Sequence, residues 1–527
     1  MPHRPQSPTA DWFRQRVEGH LIPRLQAHGL VMHSLLAVHQ GRLRHETYWL
    51  PYGPERPHRL YSAGKSLVSL AVGALIDDGA LALDDLLVDH FPEHRPRAHP
   101  WVRAMRVEDL LSMRTAHGQN TYAQVSDPDW VRTFFTVPPS RPPGTVFAYD
   151  TSATLVLTAL VERLTGLPFE EFFAERIGRH LGLEAPLRAL RSPLGLPSEA
   201  FDHHPTWREV AENPAGVAHG GSGLLATPRD LARIAQLCLQ QGRAGGRQVI
   251  SGEFLRAATS VQTPTVAGGF AHPEAQLGYG HQFWRCRRNS FAAWGMGGQI
   301  MLVVPWLEAA VVVTGDNQHI ESDAQLLHDA LWGELLDPLA EQVGAAPGEV
   351  REGASGPVAD GPAPLLESPD DVTAPRELAW VSGAPLPMGL AHDAGTYRAS
   401  FALETGPGRQ SEALGAGEEL VGLEIRSTGD LGELTLRTAD GRRLRFPYRF
   451  GGHARHDLPG YGYETHTSGA WIDGNTLSVH AHVVGDWLAQ IQLLVHVGDG
   501  AQMVCRMRAS AELFAQEFDG LLIGRQV

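Results

Sequence analysis

Residues 59–85, RLYSAGKSLVSLAVGALIDDGALALDD, hold the only lysine in a chain of 527 residues. Of 44 basic side chains, Lys65 alone is not arginine. Both residue types serve as surface cations, but only lysine can lose its proton inside a protein and act as a base. Ser62 stands three residues earlier, giving Ser62-Ala63-Gly64-Lys65. The apolar run SLVSLAVGALIDDG that follows predicts a helix opening at Ser62 and stopping at Gly79. On such a helix Lys65 lies one turn from Ser62 on the same face. The helix start supplies backbone N–H groups and positive potential at the serine oxygen. A neutral, desolvated Lys65 there would accept the Ser62 proton and make the hydroxyl a nucleophile. The flanking Ala63, Gly64, Leu67 and Val68 are small or apolar, as desolvation requires.

Outward from this stretch, the composition is that of a globular protein, 43% hydrophobic and 20% charged. A net charge of −15 argues against nucleic acid or an anionic membrane surface as partner. Three cysteines, Cys238, Cys286 and Cys505, make no disulfide framework and suit a reducing compartment. The polar start lacks the apolar core of a signal peptide, and no run approaches 18 apolar residues. A cytoplasmic protein is the expectation. The 26 histidines raise the question of metal binding. His203-His204 and His219 show no Glu-x-x-His spacing and no nearby cysteine pair, so no metal or other cofactor is expected.

The chain divides by pattern. Helical spacing at 11–28 leads into a hairpin at 34–49 around Gln40-Gly41-Arg42. Further helices are expected near 107–113, 152–165, 168–181, 228–240, 252–259 and 322–336. Strands are expected at 278–284, 299–304 and 309–314. This is an α/β (α+β) layout: an antiparallel sheet flanked by helices, joined from both ends of the domain, with an all-helical subdomain between. Residues 1–340 form this domain. A Gly/Ala/Pro-rich linker occupies 341–376. Residues 377–527 alternate apolar and polar in segments such as 418–426, 433–437, 476–483 and 489–495. Asp440-Gly441, Asp473-Gly474 and Asp499-Gly500 mark hairpin turns. An antiparallel β domain, barrel-like, is expected there.

Two further motifs follow the Ser-x-x-Lys element in order. Phe147-Ala148-Tyr149-Asp150-Thr151-Ser152 precedes a helical run, and Ala293-Trp294-Gly295-Met296-Gly297-Gly298-Gln299 precedes IMLVVP. Together the three resemble the serine β-lactamase-like and penicillin-binding-protein-like hydrolases, which include class C β-lactamases, D-aminopeptidases, esterases and nylon-oligomer amidases. VEDLLSM at 107–113 and HGGSGLLATPRDLARIAQL at 219–237 resemble scaffold segments of the same superfamily. The resemblance spans about 30–336. It implies that Ser62 is the nucleophile and that Lys65 and Tyr149 shuttle protons. It implies that Gly295 lets substrate approach the strand, and that the N–H groups of Met296 and Ser62 form an oxyanion hole. Thr151 stands where penicillin-recognising members carry Asn, and Ala293 where a cation binds a substrate carboxylate. Trp294 is read as pocket wall or packing, and His117 as pocket rim or structural. The β-rich tail resembles an appendage of some of these hydrolases.

The expectation is therefore a serine hydrolase acting through an acyl-enzyme on a small ester, amide or peptide. The alternatives are a β-lactamase or D-amino-acid peptidase, which the missing Asn and cation oppose, and a non-enzymatic binding protein on a hydrolase scaffold. Whether the chain forms a homo-oligomer is left open.

Overall fold

The computed structural model describes residues 8–125, 127, 129–190, 216–345, 373–404, 420–498, 501–511 and 518–527. His203-His204, most of the expected linker and the Asp499-Gly500 turn lie outside them. The chain forms two compact units that divide between Arg376 and Glu377.

The first unit is built on a sheet whose six strands within it run in the order Arg42–Leu50, Met32–His39, Ala309–Gly315, Gln299–Val304, Ser290–Gly295 and Trp284–Cys286. The five pairings from Arg42–Leu50 to Trp284–Cys286 are antiparallel. The first two long strands come from the hairpin near the start of the chain and the others from residues 284–315, so both ends of the unit meet in one sheet. Met32–His39 and Ala309–Gly315 are buried along their whole length, as central strands covered on both faces must be. The helix Pro228–Leu239 packs on one face of the sheet. The helical runs 10–27 and 323–343 pack against each other, and the first of them meets the Arg42–Leu50 strand.

In chain order, a helical subdomain separates the two groups of sheet strands. Gly64–Asp77 is buried from Gly64 to Leu75, so it is a core helix rather than an amphipathic surface one. Thr151–Thr165 packs against it. Gly79, at φ 71°, ends the first of these, and Gly166, at φ 70°, ends the second.

Two expectations differ from the structure. Residues 278–284 are not a strand. Gly278 (φ 109°) and Gln282 (φ 61°) take the chain out of extended geometry, and only Trp284–Cys286 joins the sheet. The helix expected at 322–336 runs on through Leu336 to Val343, where Gly344 at φ 64° stops it.

The second unit is a closed barrel. Nine strands follow the order Arg443–Arg449, Leu431–Thr438, Leu420–Thr428, Thr396–Leu403, Gly520–Gln526, Gln502–Ala511, Leu488–Val497, Thr476–Val484 and Glu464–Trp471. A bridge from Arg449 to Ser468 closes the ring, and Ala454–Asp457 pairs outside it. Alternate side chains such as Tyr397, Ala399, Phe401 and Leu403 fill its core. Among the described residues, no helix is long and apolar enough to cross a membrane.

Candidate active site

Ser62 lies in the short turn Tyr61–Ala63 that opens the Gly64–Asp77 helix. The preceding Tyr61 has φ 47°, a left-handed conformation uncommon outside glycine. The turn is held on both sides: Ala63 N donates to Leu60 O at 3.1 Å, and Leu60 N donates to Leu224 O at 2.8 Å. Ser62 is half-buried, whereas Lys65 is only 1% exposed. Lys65 Nζ lies 2.9 Å from Ser62 Oγ and donates to Gly221 O at 2.7 Å. It also sits 4.9 Å from the Tyr149 ring centre.

Tyr149 completes this group, its hydroxyl hydrogen-bonding Ser62. Burial holds the phenol well above its ordinary range, and the Ser62 bond partly offsets the shift. Its ring is stacked on Trp284 at 5.5 Å. The next residue, Asp150, caps the Thr151–Thr165 helix by accepting Ser152 N at 2.9 Å. That carboxyl is pushed up to about 6, chiefly by burial, while bonds from Ser152 and Thr115 pull the other way.

The turn 219–223 is the part of the site that sequence reasoning left as scaffold. Its Gly221 carbonyl is the second partner of Lys65. Arg59 fixes the turn, donating from Nε to Ser222 O at 3.0 Å and from Nη2 to Ser222 Oγ at 3.2 Å. Glycine is needed here: a Cβ on Gly220 would lie 2.2 Å from Thr158 Oγ1, and one on Gly221 would lie 2.6 Å from the Thr151 methyl. Thr151 is thus packed beside the residue whose carbonyl holds Lys65, and its own N–H donates to Asn120 Oδ1 at 2.7 Å. His219 is buried, and its imidazole is lowered to about 3 by burial and then by the charges of Lys65 and Arg59.

The third motif closes the site from the sheet. Gly295 ends its strand where a Cβ would stand 2.2 Å from Leu60 O and 2.9 Å from Ala63 N. The strand end therefore lies against the serine turn with no room for a side chain. Met296 begins the following turn and is 41% exposed. Gln299 pins that turn by donating to Met296 O at 3.0 Å and to Gly315 O at 2.8 Å. Asn317 N donates to Gly297 O at 3.1 Å. Trp294 is half-buried, 5.4 Å from Trp284 and 5.5 Å from His328, so an aromatic wall runs beside Tyr149. Ala293 is buried in the core.

His117 is placed differently from a pocket rim. It is 1% exposed, its Nε2 lies 2.9 Å from Phe134 O, and its ring packs on Phe134. Gln282 was not singled out by the sequence, yet it ties the helices together. It accepts from Thr154 Oγ1 at 2.8 Å, donates to Leu110 O at 2.9 Å, and its carbonyl accepts from Ser66 Oγ at 2.6 Å. Such contacts between distant segments carry no local pattern.

The model of the Beta-lactamase family matches residues 10–332. The chain belongs to that family. A 6-aminohexanoate-dimer hydrolase of Paenarthrobacter ureafaciens is 24% identical over 324 residues, 58% of this chain and 77% of that protein. Penicillin-binding protein 4 of Amycolatopsis lactamdurans is 26% identical over 317 residues, 55% of this chain and 80% of that one. Among solved structures, the D-amino acid amidase of Ochrobactrum anthropi SV3 is 17% identical with a TM-score of 0.47, over 63% of this chain and 98% of its own.

Proposed function

We propose that this Beta-lactamase family member is a serine hydrolase that works through an acyl-enzyme on a small ester, amide or peptide. The observation that carries the reading is the buried Lys65 amine 2.9 Å from Ser62 Oγ. The same amine donates to the Gly221 carbonyl, and a neutral amine at that distance can accept the serine proton.

In this reading Ser62 Oγ attacks the substrate carbonyl carbon as its proton passes to Lys65. The N–H groups of Ser62 and Met296 hold the oxyanion. Tyr149, bonded to Ser62, relays the proton to the leaving alcohol or amine as the C–O or C–N bond breaks. Water then attacks the acyl-enzyme, returns a proton through the same groups, and releases the acid. The wall of Trp294 and Trp284 supports an apolar group on the substrate. Ala293, where a cation would stand, opposes a substrate with an anionic carboxylate, and Thr151, where an Asn would stand, offers less to a substrate amide.

A turnover screen over p-nitrophenyl esters, aminoacyl anilides and nitrocefin tests the substrate side. Ester or anilide turnover that disappears in Ser62→Ala supports the proposal. Turnover of nitrocefin alone would replace it with a penicillin-recognising enzyme, and no turnover with any of them would favour a binding protein.

A further inference from the structure

Behind the Trp294 wall lies a buried group of three side chains that the proposed reaction does not use. Glu274, Cys286 and His328 offer one ligand atom each, all within 4.8 Å of one another. They come from the turn Pro273–Gln276, the edge strand Trp284–Cys286 and the helix Asp323–Leu331, so no sequence spacing announces them.

His328 is the telling member. Its side chain is fully buried, and neither ring nitrogen has a hydrogen-bond partner. A buried polar atom with no partner gives up its hydration without return. Nδ1 lies 3.8 Å from Glu274 Oε1, too far for a hydrogen bond but close to the separation of two ligands on one ion. The Cys286 sulfur is likewise weakly engaged, at 3.8 Å from Trp284 O. Glu274, by contrast, is aimed: it accepts from Arg287 N at 2.7 Å and from Arg287 Nε at 2.6 Å. Outer bonds of that kind orient ligands in metal sites.

We propose that Glu274, Cys286 and His328 form a three-ligand site for a divalent transition metal, zinc by preference, with water in the fourth position. Thiolate, imidazole and carboxylate together are a borderline-soft set that suits zinc and excludes calcium or magnesium. Ligands about 2.0–2.3 Å from a tetrahedral ion stand roughly 3.5 Å apart, so donors within 4.8 Å of one another need to close by about 1.3 Å at most. The charge closes as well. Binding releases the Cys286 proton to solvent, and the thiolate and carboxylate then balance the dication. Arg287 keeps Asp329 as a partner at 2.7 Å. A bound ion would tie three segments together and fix the His328 ring against Trp294.

Cobalt(II) titration of the metal-stripped full-length protein tests this, because cobalt bound by thiolate shows a charge-transfer band. The expected result is one equivalent bound with that band, displaced by zinc, and a melting temperature that rises with zinc. Cys286→Ser should lose the band and weaken zinc binding by more than about 100-fold, beyond what loss of an outer partner costs. Cys238→Ala, with a buried thiol elsewhere, should keep both. Absence of stoichiometric binding or of the band in the unaltered protein would overturn the site, whether or not the variants fold. A band that persists in Cys286→Ser would overturn it too.

Discussion

Arginine at position 65 would keep the positive charge and lose the base. Lys65→Arg is therefore expected to lower turnover by about 10²–10⁴-fold, close to Lys65→Ala, since a positioned base contributes in that range. Steady-state kinetics on the best ester substrate measures it. Retention of more than about a tenth of the activity would contradict the base role. The chain uses arginine for every other basic side chain, so a plain cation at 65 would leave the choice of lysine unexplained. At this scale the candidate site was legible where its members are side chains: Ser62, Lys65 and Tyr149 could be picked out by type and order, and the structure brings them together. Gly221 could not, because its part is played by a carbonyl that every residue owns. Arg59 was one arginine among many in the sequence, and its bonds to Ser222 became visible in the fold.

The strand Ser290–Gly295 and the serine turn meet backbone to backbone, and in the proposed reaction that contact sets the geometry at the reacting carbon. Gly295→Ala would force a Cβ to within 2.2 Å of Leu60 O and push strand and turn apart. A misplacement of about 1 Å costs on the order of 10²-fold, so kcat should fall by about that factor. Met296→Ala keeps the backbone N–H and should stay within about tenfold of the unaltered enzyme, well short of the loss of a real oxyanion donor. Comparing kcat of the two variants separates backbone from side chain. A tolerated Gly295→Ala would place the oxyanion site elsewhere. Elements with a clean period were legible: the hairpin, the buried helix after Ser62 and the strand Gln299–Val304. Residues 278–284 read as a strand because Tyr279, Phe283 and Trp284 are bulky and aromatic. They fold as an irregular turn because Gln282 is drawn inward to bond the helices around it.

The first unit as a whole carries an acid sensitivity. His39, His45, His58, His117 and His281 are held at about 4, chiefly by burial, and His219 at about 3. Each folded value lies below the ordinary 6.5, so the fold favours the neutral form. Their stabilisation is complete above pH about 6.5 and is lost as pH falls from there towards about 4. Asp150 and Asp323, raised to about 6 by burial, and Asp109 and Asp337, also raised by burial, act in the opposite sense, against the larger number of lowered histidines. A tenfold weaker hold on a proton in the folded state corresponds to about 1.4 kcal/mol, and a domain has only about 5–15 kcal/mol in total. The unit should therefore unfold cooperatively at a pH between about 4 and 6, as followed by near-UV circular dichroism. A native spectrum at pH about 3.5 would contradict this account of the buried histidines. Among them only His117 and His219 were singled out in the sequence, since burial depends on the assembled fold.

The most direct test of the nucleophile is intact-mass analysis after treatment with a fluorophosphonate. The unaltered protein should gain one adduct, mapped to Ser62 by peptide sequencing, and Ser62→Ala should gain none while keeping its circular dichroism spectrum. A single adduct on Ser62→Ala, or none on the unaltered protein, would contradict the claim that Ser62, activated by Lys65, attacks the substrate.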